Sequence, residues 1–350
     1  MTTIIKGQSL NQLFANAAVE LSDNGKRNSS RNGEVTYLNN AVFELSNPAA
    51  RHLYLEGRKN NIFAVIAELF WIMSGSDRIN PFLEFYLPRA KDFSDDGETW
   101  RGGYGPRIYA YDQLDQAIQV FHREGLDTRR SVIDIYQSEL DSPVHFESTK
   151  DVPCNNLVHF YVDDGKMCMN VFSRSADLVW GVTNVNIPEW TFLQEYVAQA
   201  VGVPVGSYTH WCSNLHVYDF TSSQVESVMD TPHPKASLEP SEYKPCVFPE
   251  ESCRDFFIDL LDFYEDIIAE RSGEKLCEIF SDYGVPFVNN QLWDYAMVLA
   301  RFTQNKVDKR ETPFLNTGLS PDFYAAVMGS QFRNFPIASF QNNALSMIQY

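Results

Sequence analysis

Apolar positions follow a helical period in four long stretches of this chain. The second stretch, NNIFAVIAELFWIMSG, is apolar almost all round, which is typical of a helix buried on every side, and Gly75 is expected to end it. In the fourth stretch Pro188 stands near the predicted helix start, where proline is well tolerated. The predicted helices cover residues 8–22, 60–75, 114–125 and 187–202.

Strict alternation of apolar and polar residues predicts strands between these helices. Two alternating runs flank the turn sequence DDG and predict a β-hairpin over residues 156–175, and residues 35–45 alternate like a pair of strands. Two polar stretches that contain glycine, residues 22–34 and 95–107, are predicted to be loops. The remaining predicted strands cover residues 129–136 and 207–218.

The interleaved helices and strands predict the α/β (α+β) class, with a mixed sheet flanked by helices. The chain becomes rich in proline from about residue 222, and beyond about residue 250 the pattern is mostly helical. We therefore predict two regions, 1–240 and 241–350, and expect the helical second region to pack on the first.

Charge and cysteine content narrow the class of protein. The chain has 28 Lys and Arg against 46 Asp and Glu, a formal net charge of −18, and such an acidic surface repels nucleic acid and anionic membranes. No apolar run reaches the length of a transmembrane helix, and the six cysteines form no CxxC pair. Metal-binding and dinucleotide motifs are also lacking. We expect a reduced, cytoplasmic protein without a metal site.

Cys154 stands in an unusual setting for a core thiol. Pro153 precedes it, Asn155 and Asn156 follow it, and the predicted hairpin begins directly afterwards. Core cysteines usually lie among apolar neighbours. The residue is therefore interpreted either as a half-buried structural thiol at a strand start or as a reactive nucleophile.

Four arginines are conspicuous in so acidic a chain. Guanidinium groups bind phosphate in a bidentate manner, and an anionic substrate would need a locally basic pocket. A nearby arginine would also lower the pKa of the Cys154 thiol. Salt bridges to the abundant carboxylates are the alternative. The four are Arg31, Arg129, Arg130 and Arg174.

Four further side chains could take part in chemistry. Glu68 lies in the apolar helix, where a carboxylate must be paired or protonated, so it is either a structural partner of an arginine or a tuned acid or base. Tyr104 lies between glycines, where a ligand can approach. His216 and Tyr218 share one strand face, either as half-buried polar aromatics or as ligand contacts. These residues suggest a phosphate-binding thiol enzyme, with a thiol hydrolase and a non-catalytic nucleotide-binding module as rivals.

Eight short motifs, in this order and spacing, resemble the thymidylate synthases and the related pyrimidine-nucleotide hydroxymethylases. AELFWIMSGSD resembles the family's Glu-Leu-Leu-Trp helix, YGPR its Tyr-Gly loop, DTRR its inter-subunit arginine pair and VPCNN its nucleophile segment. SRSAD resembles Gln-Arg-Ser-x-Asp, NVNIPEW the Phe-Asn-Ile segment, SNLHVY the Gly-Asp-x-His-x-Tyr strand and TPHPKA a following Pro-x-Pro segment. The resemblance spans about residues 27–235 and implies a twisted mixed sheet, packed back to back in a homodimer.

The resemblance also implies a role for each candidate residue. Cys154 would add to C6 of a pyrimidine deoxynucleotide monophosphate, and the activated C5 would take the methylene of 5,10-methylenetetrahydrofolate. Glu68 would relay a proton to the ring, Tyr104 would help to move the C5 proton, and Asp177 would contact the pterin. The phosphate would be held by Arg31, Arg174, Ser175 and, from the partner subunit, Arg129 and Arg130. The sugar hydroxyl would be held by His216 and Tyr218.

Departures from the family pattern bear on the final step. A synthase quenches the exocyclic methylene with hydride in a dry site, whereas a hydroxymethylase uses water. Asn155 replaces the histidine after the nucleophile, Ser173 replaces the glutamine before the arginine, and the short C-terminal tail of the synthases is not recognisable. We therefore predict a deoxyuridylate hydroxymethylase of the kind that phages use for modified DNA precursors, with thymidylate synthase as the alternative.

The base is predicted from one asparagine. The synthases read uracil with an asparagine, which can donate to O4 and accept from N3–H, whereas cytosine suits aspartate better. Asn186 falls at that position and favours uracil over cytosine, although a dCMP hydroxymethylase stays an alternative. The segment from Asp177 to Asn186 is one residue longer than usual, so Asn184 competes for the role.

Overall fold

Strands from the whole first two thirds of the chain join into one mixed sheet. The computed structural model describes residues 2–142, 149–231, 243–309 and 319–329. The strands are β1 (Thr3–Gly7), β2 (Lys26–Ser30), β3 (Gly33–Leu45), β4 (Ser131–Asp134), β5 (Asn155–Asp163), β6 (Lys166–Ser173), β7 (Ala176–Asp177) and β8 (Val205–Tyr218). Their order is β1-β3-β8-β6-β5-β4. In addition, β2 pairs with β3, and β7 pairs with β8.

Long strand β8 connects the two halves of this sheet. It runs antiparallel to β3 along one edge and parallel to β6 and then β7 along the other. Parallel and antiparallel pairs therefore meet at the same strand, and this mixture confirms the predicted α/β class with a mixed sheet.

Helices precede, connect and follow the strands. They are α1 (Leu10–Asn24), α2 (Ile62–Ser74), α3 (Phe82–Tyr86), α4 (Tyr104–Tyr109), α5 (Gln113–Glu124), α6 (Ser138–Asp141), α7 (Ile187–Val201), α8 (Asp219–Asp230), α9 (Cys253–Ile268), α10 (Leu276–Asp282), α11 (Gln291–Asp308) and α12 (Pro321–Gly329). A π-helix, Leu178–Asn186, leads directly into α7. In the described ranges, no helix has both the length and the apolar composition needed to cross a membrane.

Helix α2 lies at the centre of the helical layer, as its apolar sequence predicts. Every one of its residues is buried, and Gly75 ends it in the left-handed conformation (φ 76°) that glycine adopts without strain. Phe63 stacks on Phe302 of α11 at 4.0 Å between ring centroids, and Phe70 stacks on Tyr264 of α9 at 6.2 Å. Helices α9, α11 and α12, which follow residue 250, therefore cover α2, and Glu68 lies inside this packed layer.

Most predicted elements are confirmed, and the errors lie in the polar segments. The stretch 22–34, predicted to be a loop, contains strand β2, and residues 35–45 belong to one strand, β3, rather than two. The stretch 95–107 ends in helix α4, so Tyr104 begins a helix instead of lying in a loop. All five residues of β2 are exposed, so no apolar alternation could mark it as a strand.

Two predicted features fall partly or wholly outside the described residues. Of the TPHPKA motif only Thr231 is described, and residues 241–242, 310–318 and 330–350 of the predicted helical region also lie outside the described ranges. The division into 1–240 and 241–350 stays a prediction.

Candidate active site

Cys154 lies directly before β5, beside an arginine from the end of β6. The backbone N–H of Arg174 donates to the carbonyl of Cys154 at 2.9 Å. Its guanidinium donates to the carbonyls of Pro153 and Val152 at 3.0 and 2.8 Å, and its Nη2 lies 3.7 Å from the Cys154 sulfur. The hairpin register thus brings the predicted thiol and the predicted phosphate ligand into contact.

The Cys154 thiol does not have the lowered pKa that we predicted. Burial raises its pKa, and the attraction of Arg174 only partly offsets this, while the carboxylate of Asp151 raises it further. Removal from water disfavours the thiolate more than one partly exposed guanidinium stabilises it. Arg174 thus has the predicted effect on the pKa of the thiol, but burial outweighs it and the net shift is upward.

A second arginine and a glycine loop enclose the segment before Cys154. Arg31, in the turn between β2 and β3, donates to the carbonyls of Thr149 and Lys150, both at 3.2 Å. The backbone N–H of Gly102 donates to Asp151 Oδ2 at 2.7 Å. A Cβ at Gly102 would lie 2.6 Å from Asp151 Oδ1, so this close approach requires glycine.

Arg129 and Arg130 lie elsewhere on the chain. Both are exposed just before β4, the edge strand of the sheet, and Arg130 Nη1 pairs with Glu124 at 3.3 Å. Within the part of the chain that the structure describes, no hydrogen bond or ion pair joins either one to Cys154. Their predicted role requires a second subunit and stays a prediction.

Two buried carboxyl groups lie within electrostatic reach of each other on the packed helices α2 and α7. Glu68 of α2 is 3 % exposed and Glu189 of α7 is 5 % exposed. Burial raises the pKa of Glu68 well above its usual value, and the charge of Glu189 raises it further. Burial also raises the pKa of Glu189, to about 8, against a hydrogen bond from Asn186 that lowers it. The pair therefore binds a proton under conditions in which an exposed glutamate would not.

Asn186 and Asn184 both lie in the π-helix, and both are buried. Asn186 Nδ2 donates to Glu189 Oε2 at 3.4 Å, and a Cβ on Gly181 would lie 3.8 Å from both Asn186 Oδ1 and Asp177 Cβ. Asn184 has no hydrogen-bond partner for either side-chain polar atom among the described residues. A π-helix accommodates extra residues per turn, which fits the longer segment noted in the sequence. The side chains of Asn186 and Asp177 therefore both lie near Gly181. Asn184 stays the alternative residue for reading the base.

Tyr104 packs against the helix that carries Glu189. Its ring lies 5.2 Å from that of Trp190, the next residue of α7. Burial raises the pKa of Tyr104 well above its usual value, and the charges of Cys154 and Glu189 add to the shift. The phenol therefore stays protonated and lies within electrostatic reach of both the thiol and the carboxyl.

A chain of buried hydrogen bonds runs beneath the hairpin. Ser173 Oγ donates to the carbonyl of Trp211 at 3.2 Å, so it accepts from His210 Nε2 at 3.0 Å. His210 Nδ1 then accepts from the hydroxyl of Tyr208 at 2.8 Å. Burial lowers the pKa of His210 to about 3, so this imidazole is neutral.

The other predicted ligands lie along β7 and the end of β8. Asp177 is paired with His216 in the strand register and accepts from the backbone N–H of Val179 and Trp180 at 3.0 and 3.2 Å. The rings of His216 and Tyr218 are 5.0 Å apart, so these two do share a face. Ser175 lies half-buried between β6 and β7.

Several buried polar atoms of the candidate residues and of Asn155, the neighbour of Cys154, have no partner within the described ranges. They include both side-chain polar atoms of Asn155, Glu68 Oε2 and His216 Nδ1. Buried polar groups are nearly always hydrogen-bonded in a complete structure, so these atoms fit a polar ligand with several donors and acceptors. No cluster of histidine, cysteine, aspartate or glutamate suited to a metal ion occurs in the parts of the chain that are described.

Glu189 is the residue that the sequence analysis missed. It stands three residues after Asn186, at the start of α7, where an acidic residue is ordinarily explained by the helix dipole. The available signal was the apolar sequence that follows it, WTFLQEYV, because the same reasoning singled out Glu68.

The raised pKa of Glu189 predicts an unusual pH dependence of stability. A carboxyl whose folded-state pKa is raised to about 8 contributes stability fully below the unfolded value near 4.5 and loses it as the pH rises through 8. Relative to Glu189→Gln, the free energy of unfolding of the wild type should therefore fall between pH 5 and 8, by up to about 1.4 kcal/mol per pH unit. Urea unfolding of the ligand-free protein measures it. Glu226→Gln, at an exposed site on α8, is the control, and parallel curves for wild type and Glu189→Gln would contradict the prediction.

Comparison with known proteins agrees with this arrangement. Residues 12–267 match the family model described as thymidylate synthase. A protein of Delftia phage PhiW-14 named deoxyuridylate hydroxymethyltransferase is 36 % identical over 332 residues, which cover 89 % of this chain and 92 % of that protein. Proteins of the same name from Pseudomonas phage M6 and Bacillus phage SP01 are 33 and 32 % identical, over 65 and 61 % of this chain and 65 and 58 % of their own lengths.

The family match covers strands β2 to β8 and nearly all of the helices from α1 to α9, while β1 precedes it. It includes the segment of Cys154 and Arg174 as well as the buried Glu68. With 36 % identity to a relative over nearly its full length, this chain belongs to the thymidylate synthase family.

Proposed function

We propose that this enzyme transfers a hydroxymethyl group to C5 of dUMP, with 5,10-methylenetetrahydrofolate as the co-substrate. The observation that carries the proposal is the full-length similarity to a relative named deoxyuridylate hydroxymethyltransferase. That alignment covers 89 % of the chain and so extends beyond residue 267, where the family model ends. The similarity therefore includes part of the helical region that takes the place of the synthases' short tail.

The thiol and its arginines support a covalent mechanism on a nucleotide monophosphate. Cys154 attacks C6 of the pyrimidine, which makes C5 a nucleophile toward the methylene that the folate supplies. Arg174 and Arg31 lie around the segment that carries this thiol and can turn from the backbone carbonyls to the phosphate. A bound dianion beside Arg174 would hold that side chain in place, next to the sulfur.

The buried carboxyl of Glu68 supports proton transfer to the ring. Burial and the charge of Glu189 raise its pKa well above the usual value and so favour the protonated form, which can donate toward O4 while negative charge develops there. Tyr104 lies within electrostatic reach of Cys154, which suits transfer of the C5 proton.

The remaining candidate residues would bind the two substrates. Asp177, which caps the start of the π-helix, would contact the pterin. Ser175 would join the phosphate ligands, and His216 and Tyr218 would hold the sugar hydroxyl.

The product distinguishes the proposal from its alternatives. Purified protein is incubated with dUMP or dCMP and methylenetetrahydrofolate, and the nucleotide and folate products are analysed by mass. We expect 5-hydroxymethyl-dUMP and tetrahydrofolate. A 5-methyl product with dihydrofolate would identify a synthase, turnover of dCMP alone would identify a dCMP hydroxymethylase, and binding without turnover would leave a nucleotide-binding module.

A partly exposed apolar row across the sheet supports a homodimer, and only Val42 in this row is buried. Ile4, Val42, Trp211, Phe172 and Leu157 are register partners on the adjacent strands β1, β3, β8, β6 and β5. Ile4 is 54 % and Trp211 43 % exposed, and such a row marks an interaction surface. A second copy that packs its own sheet against this row would bring Arg129 and Arg130 toward the partner's site.

Mixing two inactive variants tests this shared site. Arg130→Ala removes the donated cation and Cys154→Ser removes the nucleophile, so each homodimer should be inactive. A hybrid dimer has one site with both native residues, and an equal mixture should regain about a quarter of the wild-type activity, since random exchange makes half of the dimers hybrid. Activity is measured after subunit exchange has been followed by mass spectrometry of a tagged subunit. Exchange without recovery of activity would argue against a shared site.

A further inference from the structure

The carboxyl of Glu189 has no role in the covalent mechanism described above, although it lies among the residues that carry it. It is buried, and Asn186 donates to its Oε2 at 3.4 Å. Its charge acts on Glu68, Tyr104 and Tyr208, which belong to three different elements, α2, α4 and β8. A buried carboxyl at the junction of these elements is costly unless it serves a purpose in the site.

The contact with Asn186 fixes the side of the pyrimidine on which Glu189 lies. An asparagine that reads uracil accepts from N3–H through Oδ1 and donates to O4 through Nδ2. Only Nδ2 can donate to Glu189, so the carboxyl lies at the O4 end of the amide. On the ring, O4 neighbours C5, whereas N3 lies on the other side. Glu189 is therefore directed toward the C5 substituent.

Tyr104 gives a second observation on the position of Glu189 relative to C5. Its phenol is within electrostatic reach of Cys154, which bonds C6, and of Glu189. Its ring also packs on Trp190, the residue after Glu189. Because C6 and C5 are adjacent, the electrostatic reach of this one phenol to both the thiol and the carboxyl agrees with a position of Glu189 near C5.

Among the described groups of this cluster, Glu189 is the one suited to accept a proton near neutral pH. Both ring nitrogens of His210 are already hydrogen-bonded, and its pKa of about 3 makes it a weak base. The pKa values of Tyr104 and Tyr208 are raised well above 10, so both phenols stay protonated. Of the two carboxyls, Glu68 already serves as the proton donor toward O4 in the proposed function, which leaves Glu189 as the proton acceptor.

We propose that Glu189 is the general base that activates the water molecule which adds to the exocyclic methylene of the nucleotide. The proposal rests on the hydroxymethyl transfer put forward above. The water oxygen forms the new C–O bond as Glu189 takes its proton, and the C5–methylene π electrons move through C4 to O4. When the enolate collapses, C5=C6 is restored and the Cys154 thiolate leaves C6. Glu189 then returns its proton to solvent, and the product is the 5-hydroxymethyl nucleotide.

The test separates the water step from the steps that precede it. Release of tritium from [5-³H]dUMP reports loss of the C5 proton, which comes before the exocyclic methylene forms, whereas 5-hydroxymethyl-dUMP reports the water step. In Glu189→Gln we expect hydroxymethyl product to fall about 10²–10⁴-fold, the range for loss of a general base, and tritium release to fall far less. Added 2-mercaptoethanol should trap the methylene, because a thiol adds without help from Glu189, and the thioether should then become the main product.

Two further variants serve as controls. Glu189→Asp retains a carboxylate and should recover part of the hydroxymethyl product. Glu68→Gln should lose tritium release and product together and should give no thioether, because it acts before the methylene forms.

The outcomes distinguish this inference from the proposed function. Normal hydroxymethylation by Glu189→Gln, or loss of tritium release in step with product, would overturn the role of Glu189 and leave the proposed function intact. A wild-type enzyme that makes 5-methyl-dUMP and dihydrofolate would overturn both, since no water step would then exist.

Discussion

Replacing Cys154 with serine is expected to abolish turnover and to leave nucleotide binding largely intact. The serine hydroxyl is a far weaker nucleophile than a thiolate, and C6 addition is the first covalent step, so the rate should fall on the order of 10³-fold or more. The proposed phosphate ligands, Arg31 and Arg174, lie beside the backbone carbonyls of residues 149, 150, 152 and 153, and the substitution changes neither the arginines nor this backbone. The substitution should therefore lower the rate of turnover without weakening the binding of dUMP.

Steady-state turnover and calorimetric titration with dUMP measure the two effects. Cys277→Ser, at a half-buried thiol on α10, is the matched control and should retain activity. Near-normal turnover by Cys154→Ser would rule out covalent catalysis. Loss of dUMP binding together with activity would instead indicate that the thiol supports the shape of the segment before β5.

Replacing Asn186 with aspartate is expected to shift base preference from dUMP toward dCMP. A carboxyl accepts from the cytosine amino group and, when protonated, donates to N3, whereas against uracil it meets the lone pairs of O4. The neighbouring Glu189 carboxyl favours the protonated form, because two adjacent carboxylates cannot both ionise readily. A buried mismatch of about 1–3 kcal/mol corresponds to roughly one to two powers of ten in relative specificity.

The ratio of kcat/KM for dUMP and dCMP, in wild type and variant, measures this shift. Asn184→Asp is the matched comparison, since Asn184 is equally buried in the same π-helix and its amide has no partner among the described residues. A shift in Asn184→Asp with none in Asn186→Asp would transfer the base-reading role to Asn184. No change in either variant would remove both from base selection.

The sequence alone was sufficient to predict the features that depend on residues close together in the chain. The all-apolar period of residues 60–75 predicted the buried helix α2 and its end at Gly75, and alternation around DDG predicted the hairpin that follows Cys154. The order of the short motifs was enough to indicate the family, because each motif keeps its residue types and spacing along the chain. These features depend on neighbours within a few residues, which a sequence displays directly.

Only the tertiary structure could decide what depends on distant neighbours. Strand β2 exists through its pairing with β3, since its own exposed residues show no pattern. The pKa of Cys154 is raised because burial outweighs Arg174, and burial is a property of the whole packed site. The charge of Glu189 raises the pKa of Glu68 although the two residues stand in helices far apart in the chain, and this effect identified Glu189 as a candidate base. A sequence shows which groups are present, but their desolvation and mutual distances arise only when helices α2 and α7 pack together.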